Sequence, residues 1–538
     1  MGRAPLRGLA KGHGQKVTHM LTEVNPQDRA AVLRLQEFLS GRGPWFRSLW
    51  GIGVLLAIDE LHEACAMLRQ GHLSEPSVKR MAGSLHKRVG QDPAFSDVEK
   101  QFLNQQIQQI PRAEGVTHYG LRHLSSHIST DYLKRWGAVV ANGQYSVERY
   151  ARSVSTFLLD EGLSGEYLHE LIGKLIRSAD KVSIGDVCEE LNVALKNNPA
   201  RDFEVLLALN SVPNLTKSTS AEWLNGASVT AWLKTEGFDT RGVRSPVAMV
   251  LKVRARDVYG AAHLAREVSD RYEARAQIAT GKTLNRFPML WVKGASEPLP
   301  LEGVSRGVNV GELIREDRIF SSDASQSVDA ALELLSHLNS SSAPAAIAGG
   351  WAAIEGLLAD PNDRSAAADN LAALVACSLP RAELTALSHR AERDSPDKFS
   401  MLKDLKTNRE RSRAIASMIL EGKMPTMKAV ADQCAVSRVQ KILKDPKAEL
   451  QAIRDFASES FHRLYRQRNI ILHGGRLDSV ALTASLRTVA KLAGAGMDRI
   501  THGHYVKNIK PLELVARANF SLALLDKKSE LEVIDLLE

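Results

Sequence analysis

The chain has 538 residues, of which 44% are hydrophobic, 25% charged and only 5% aromatic, with a formal net charge of +8. This composition excludes a disordered or fibrous chain, leaves room for roughly two to four domains, and favours helices over sheets. The mild cationic excess suits a polyanionic partner such as RNA without requiring one.

Residues 1–20 read as a loose basic tail. The segment is Gly-rich and lacks the apolar core of a signal peptide. Leu6 stands where a myristoylation signal needs Ser or Thr. No apolar run is long enough to span a bilayer. A cytoplasmic chain with no membrane contact is the expectation. Cys65, Cys188, Cys377 and Cys434 lie far apart and form no Cys-x-x-Cys pair, so reduced buried thiols are expected, with no metal and no cofactor.

Residues 21–210 are predicted to be a helical region, possibly regulatory. Apolar residues recur at three and four in 30–39 (AAVLRLQEFL), in 55–68 and in 146–159 (SVERYARSVSTFLL), the last followed by Gly162 as a stop. Around Val212 the character shifts. Pro213, Asn214, Gly226 and Gly237 make turns frequent, 246–253 (PVAMVLKV) and 288–292 (PMLWV) read as strands, and 258–276 reads as a helix between them. A small mixed α/β domain is therefore expected over 211–320.

Residues 321–538 are predicted to form an antiparallel helical bundle, with helices resuming near Asp323. Helical spacing covers 343–358. The stretch 370–379 is expected to end at Pro380. One long helix over 448–473 should stop at Gly474-Gly475, and 481–499 and 511–525 complete the set. The fold class is mainly α: an N-terminal helical region, a small α/β segment and a C-terminal bundle.

The segment 461–475 reads FHRLYRQRNIILHGG and places Arg468, Asn469 and His473 in the order R-N-x-x-x-H. On a helix, Asn469 and His473 are one turn apart, and Arg468 lies about 140° around from His473. Histidine moves protons near neutral pH, and arginine offers a planar fork of donors to a phosphate. Those are the groups needed when an RNA 2′-hydroxyl attacks its neighbouring phosphate. Arg-x4-His also occurs as Arg122/His127 and Arg499/His504. About one such match is expected by chance. Ile500 fails the polar position of the third, and 122–127 reads as exposed polar residues on an N-terminal helix.

With its LYRQRN…HGG context, the motif resembles that of the HEPN superfamily, and GGWAAIEGLL at 349–358 resembles the first bundle helix of such domains. The resemblance covers 323–525. It implies a metal-independent endoribonuclease acting at a homodimer cleft, with Arg468 and His473 catalytic and Asn469 supporting. It also implies a toxin or antiviral-defence effector cutting cellular or phage RNA, with a phage-derived trigger or regulatory partner. Arg463 and Arg466, beside the motif, are expected to contact RNA phosphates. The alternatives are a non-catalytic HEPN-type module that binds RNA or dimerises, and a DNA-binding regulator through a helix-turn-helix at 426–443 (TMKAVADQCAVSRVQKIL). The stretch AQIATGKT at 276–283 imitates a phosphate-binding loop, but a charged helix precedes it where a strand is needed, and Gly281 reads as a helix cap.

Overall fold

The computed structural model describes residues 25–537 apart from 42, 48–50, 109–111, 144, 179–182, 213–221, 304, 322–325 and 527–531. The basic tail, Pro213, Asn214 and Asp323 therefore lie outside the described residues. The protein is mainly α-helical with one small antiparallel sheet.

The N-terminal helices are α1 (Pro26–Leu39), α2 (Val54–Arg69), α3 (Glu75–Gln91), α4 (Asp97–Gln108), α5 (Val116–Ser129), α6 (Tyr132–Ala141), α7 (Val147–Asp160), α8 (Gly165–Ser178) and α9 (Ile184–Asn197). Asn25 starts α1 by accepting the Gln27 N–H, and Pro26 takes a first-turn position where its missing donor costs nothing. Ser183 and Asp186 start α9 as a capping box. The apolar faces meet around Leu35, Ile58, Leu121, Trp136 and Val154. Ile470 and Ala484, from the far end of the chain, belong to the same buried cluster, so this core is not closed by the N-terminal helices alone.

The middle of the chain runs β1 (Arg201–Leu209), β2 (Glu222–Asn225), α10 (Gly226–Thr235), β3 (Val247–Ala255), α11 (Val258–Thr280), β4 (Arg286–Val292) and β5 (Leu299–Pro300). Among the described residues the sheet order is β2-β3-β1-β4-β5, with antiparallel neighbours throughout. β3, α11 and β4 fall where the pattern places them. β1 does not figure in that pattern, yet it is the central strand, so the α/β segment begins at 201 rather than 211. Its residues Val205 to Leu209 are all buried. Val205 and Leu207 pack with Ala261 and Ala265 of α11, while Leu206 and Ala208 pack with Val229 and Leu233 of α10. A strand covered on both faces reads as an unbroken apolar run and loses its alternation. Gly281, at φ 68°, caps α11, which removes the phosphate-loop imitation.

The C-terminal part comprises α12 (Glu312–Arg315), α13 (Ser327–Ser340), α14 (Ala343–Leu358), α15 (Ala366–Asp394), α16 (Asn408–Leu420), α17 (Val430–Lys444), α18 (Pro446–Gly474), α19 (Leu482–Tyr505) and α20 (Pro511–Leu524). Two expectations are corrected here. α15 runs through Pro380 instead of ending there. Proline inside a helix costs about 3 kcal/mol, and burial of Leu371, Leu374, Leu379, Leu384 and Leu387 along this one helix outweighs that. By length and composition α15 could cross a membrane, but it forms the middle of the bundle, with 72% of its most apolar stretch buried. The second correction concerns 426–443. α17 is a single helix, with no turn near Ala435 and with Ala435, Val439 and Ile442 buried, so no helix-turn-helix forms.

α18 lies against α14, α15 and α19. Trp351 of α14 packs on Tyr465 with ring centroids 4.8 Å apart, and its indole N–H donates to Glu355. Glu355 also pairs with Arg364.

Candidate functional site

Asp445 starts α18 by accepting the Ala448 N–H, with Pro446 in the first turn. Gly475, at φ 62°, ends the helix by turning the chain into the left-handed region, and its N–H closes on the Ile470 and Ile471 carbonyls. The last two turns of this helix carry the motif.

Arg468 and Asn469 are half-buried and His473 is exposed. The Arg468 Nη1 donates to Asn469 Oδ1 at 3.0 Å and lies 3.1 Å from His473 Nε2. The long arginine side chain thus spans the 140° that separates the two positions on the helix. A guanidinium donates only, so the contact is a hydrogen bond in the tautomer whose Nε2 presents its lone pair. The structure therefore brings all three motif residues together. A proton-accepting nitrogen at the surface has a donor fork beside it, the combination that deprotonates a hydroxyl next to a phosphate and stabilises the charge that develops. Among the described residues, no group of three or more His, Cys, Asp and Glu is placed to hold a metal ion.

Arg463 and Arg466 are not where phosphate binding would need them. Both are buried. Arg463 Nε donates to Glu60 Oε2 at 3.0 Å and its Nη2 to Glu459 at 3.1 Å. Arg466 Nη2 reaches Glu60 Oε1 at 3.2 Å and Glu459 at 3.1 Å. Burial alone would raise the Glu60 pKa, but the two guanidinium charges outweigh it and hold the carboxyl below its ordinary value. For Arg466 burial lowers the pKa, and Glu60 and Glu459 more than restore it. The helical spacing explains the correction: 463, 466 and 470 share the α18 face that meets α2. One signal could have revealed it. Glu60 lies between Leu56 and Ala64 on the apolar face of α2, one turn from each, and a buried acid requires a cation.

Further contacts join residues 21–210 to the bundle. Arg47 reaches Glu383 and Asp432, each at 2.8 Å. Glu148 takes Arg34 at 2.8 Å and Arg438 at 2.9 Å. Glu63 accepts the Ser479 hydroxyl at 2.7 Å, just past the motif. Gly474, next to His473, lies so close to His72 that an added Cβ would sit 3.3 Å from its ring. Sequence reasoning missed Glu60, Glu63 and His72 as neighbours of the motif.

Around the motif, Leu472, Leu477 and Val480 keep 53%, 48% and 47% of their surface exposed. On α5, Arg122, His123 and His127 are exposed, and His127 lies 3.7 Å from Glu99. The basic stretch after 388 is largely paired: Arg390 with Asp432, Arg411 with Glu392, and Arg409 and Arg413 with Asp535. Comparison of the chain with family models, with curated proteins and with solved structures finds no match.

Proposed function

We propose that the protein is a metal-independent endoribonuclease whose active centre is Arg468, Asn469 and His473, held in check by its N-terminal region. The observation that carries this reading is the 3.1 Å contact between the Arg468 guanidinium and His473 Nε2 at an exposed helix end. His473 takes the proton of an RNA 2′-hydroxyl, whose oxygen attacks the adjacent phosphorus. Arg468 shifts from His473 Nε2 to the non-bridging oxygens, which frees that nitrogen for the proton, while Asn469 keeps its hold on Nη1. The bond to the 5′-oxygen breaks, and that oxygen needs a proton. One imidazole that has just accepted a proton from the nucleophile's side does not also stand on the leaving group's side. A second copy of the chain, bringing its own His473 in the protonated form, supplies that proton, and exchange with water resets the two histidines afterwards. The exposed Leu472, Leu477 and Val480 around the motif give such a copy an apolar surface to meet. The products are a 2′,3′-cyclic phosphate and a 5′-hydroxyl.

Support for restraint lies in the packing of α2 and His72 against the last turns of α18. The resemblance adds the role: a toxin or antiviral effector acting on cellular or phage RNA.

The test is cleavage of labelled tRNA and mRNA by the purified full chain in EDTA, beside His473→Ala and Arg468→Ala. The expected result is slow, restrained cutting by wild type at high protein concentration, 2′,3′-cyclic phosphate ends, and a further loss of about 100-fold or more in each variant. Cutting by His473→Ala at the wild-type rate would sink the reading.

A further inference from the structure

A cavity of about 550 Å³ lies between the N-terminal helices and the bundle. Its size falls within the range of small-molecule sites. Phe46, Val439, Ile453 and Phe456 make part of its wall apolar, and Arg88 and Arg152 make another part cationic.

Most carboxylates of this cavity are already paired, Asp455 with Lys87 among them, while Glu449 in the same wall acts on Arg152 from a distance. Glu148 already takes Arg34 and Arg438, Glu383 takes Arg47, and Glu459 takes Arg463 and Arg466. Asp92 accepts the Tyr132 hydroxyl at 2.7 Å, and its burial pushes its pKa up, away from the charged form. Arg88 and Arg152 are left short of counter-charge. Arg152 has a buried Nε with no partner, and its nearest paired carboxylate oxygen, on Glu148, is 3.8 Å away. Arg152 is half-buried, and 39% of its side-chain surface is open, as for a group facing a cavity. Arg88 donates to the Ile52 carbonyl and has Arg463, a like charge, close by. For both arginines burial lowers the pKa, and the surrounding acids do not make up the difference. Both arginines are half-buried, and a partly desolvated cation without a full counter-ion is costly to keep. A protein that keeps two in one cavity has a use for them.

We infer that this cavity is a binding site for a phosphorylated small molecule of nucleotide size, with its phosphates between Arg88 and Arg152 and its apolar ring against Phe46 and Phe456. Guanidinium groups lining one cavity suit phosphates, and aromatic side chains in the same wall suit a base. The ligand bridges α3 and α7 to α18. Arg463 lines the same cavity, and the motif begins five residues further on, roughly 7.5 Å along the axis. An effect on cleavage rests on the ribonuclease reading; binding does not.

The experiment is calorimetric titration of the full chain, without RNA, with ATP, AMP and inorganic phosphate. ATP is expected to bind one per chain. Arg88→Gln and Arg152→Gln should each weaken it at least tenfold. Without ligand, both variants should melt at or above the wild-type temperature, because a cation that only serves the fold would lower it on removal. Phe456→Leu should weaken ATP while leaving tripolyphosphate unchanged. Failure of ATP, AMP and phosphate alike to bind the wild type would overturn the proposal. So would equal ATP affinity in Arg152→Gln.

Discussion

Replacing Glu60 with Gln removes one charge from the buried group formed by Glu60, Glu459, Arg463 and Arg466. In the wild type two acids face two cations; in the variant one acid, Glu459, faces both. Breaking a buried ion pair by deleting one partner costs about 3–5 kcal/mol. Glu459 remains within 3.1 Å of both arginines, so the lower end of that range applies, about 3 kcal/mol. The loss should appear as a lower urea midpoint at neutral pH. The pH dependence provides a second reading of the same charge. The folded-state pKa of Glu60 is held below the ordinary value of 4.5 by Arg463 and Arg466 against its burial. Its stabilisation is therefore present above pH 4.5 and is lost as pH falls through the folded value. Glu60→Gln should lack that acid-side loss. A double-mutant cycle with Arg466→Met should return part of the deficit, because the second change removes the stranded cation. Stability of Glu60→Gln within about 0.5 kcal/mol of wild type would refute the account of this group.

Other perturbations have equally definite outcomes. Gln467 is 0% exposed and its amide oxygen and nitrogen have no partners, so Gln467→Leu should stabilise the protein by about 1 kcal/mol in urea unfolding; a loss of that size would mean that the amide is satisfied by water. Gly475 holds φ 62°, so Gly475→Ala should cost about 1 kcal/mol by the same measurement; no cost would mean that the left-handed cap is dispensable. His62 stacks on His118 at 3.6 Å, and burial, His118 and Arg122 push its pKa down to about 4. The unfolded chain then binds more protons between pH 4 and the ordinary 6.5, so stability should fall as pH drops through that window. His62→Asn should flatten that part of the profile, and an unchanged profile would remove His62 from the account.

The motif helix was readable because its information is local. Periodicity and Gly474-Gly475 at its end mark out α18, and the spacing of Arg468, Asn469 and His473 places them on one broad face just before that end. The same local reading misassigned Arg463 and Arg466. Nothing within a helix of their position shows that Glu60, 403 residues before Arg463, is waiting for them. β1 was lost for a related reason: its burial depends on α10 and α11, which come later in the chain. Pro380 misled in the opposite direction, since a strong local signal was overruled by packing on every side of α15. At the site, the chemistry was legible and the burial was not.

The separation between Glu60 and Arg463 also sets an order in time. At ribosomal rates of about 5–20 residues per second, roughly 20–80 s pass between the synthesis of the two residues. Through that interval α2 exists without its partner helix, and the motif does not exist at all. When α18 finally leaves the ribosome, the surface that covers its Arg463–Ile470 face has already been made. No stage of translation yields the motif without the N-terminal helices, whereas a prematurely terminated chain yields the N-terminal helices without the motif.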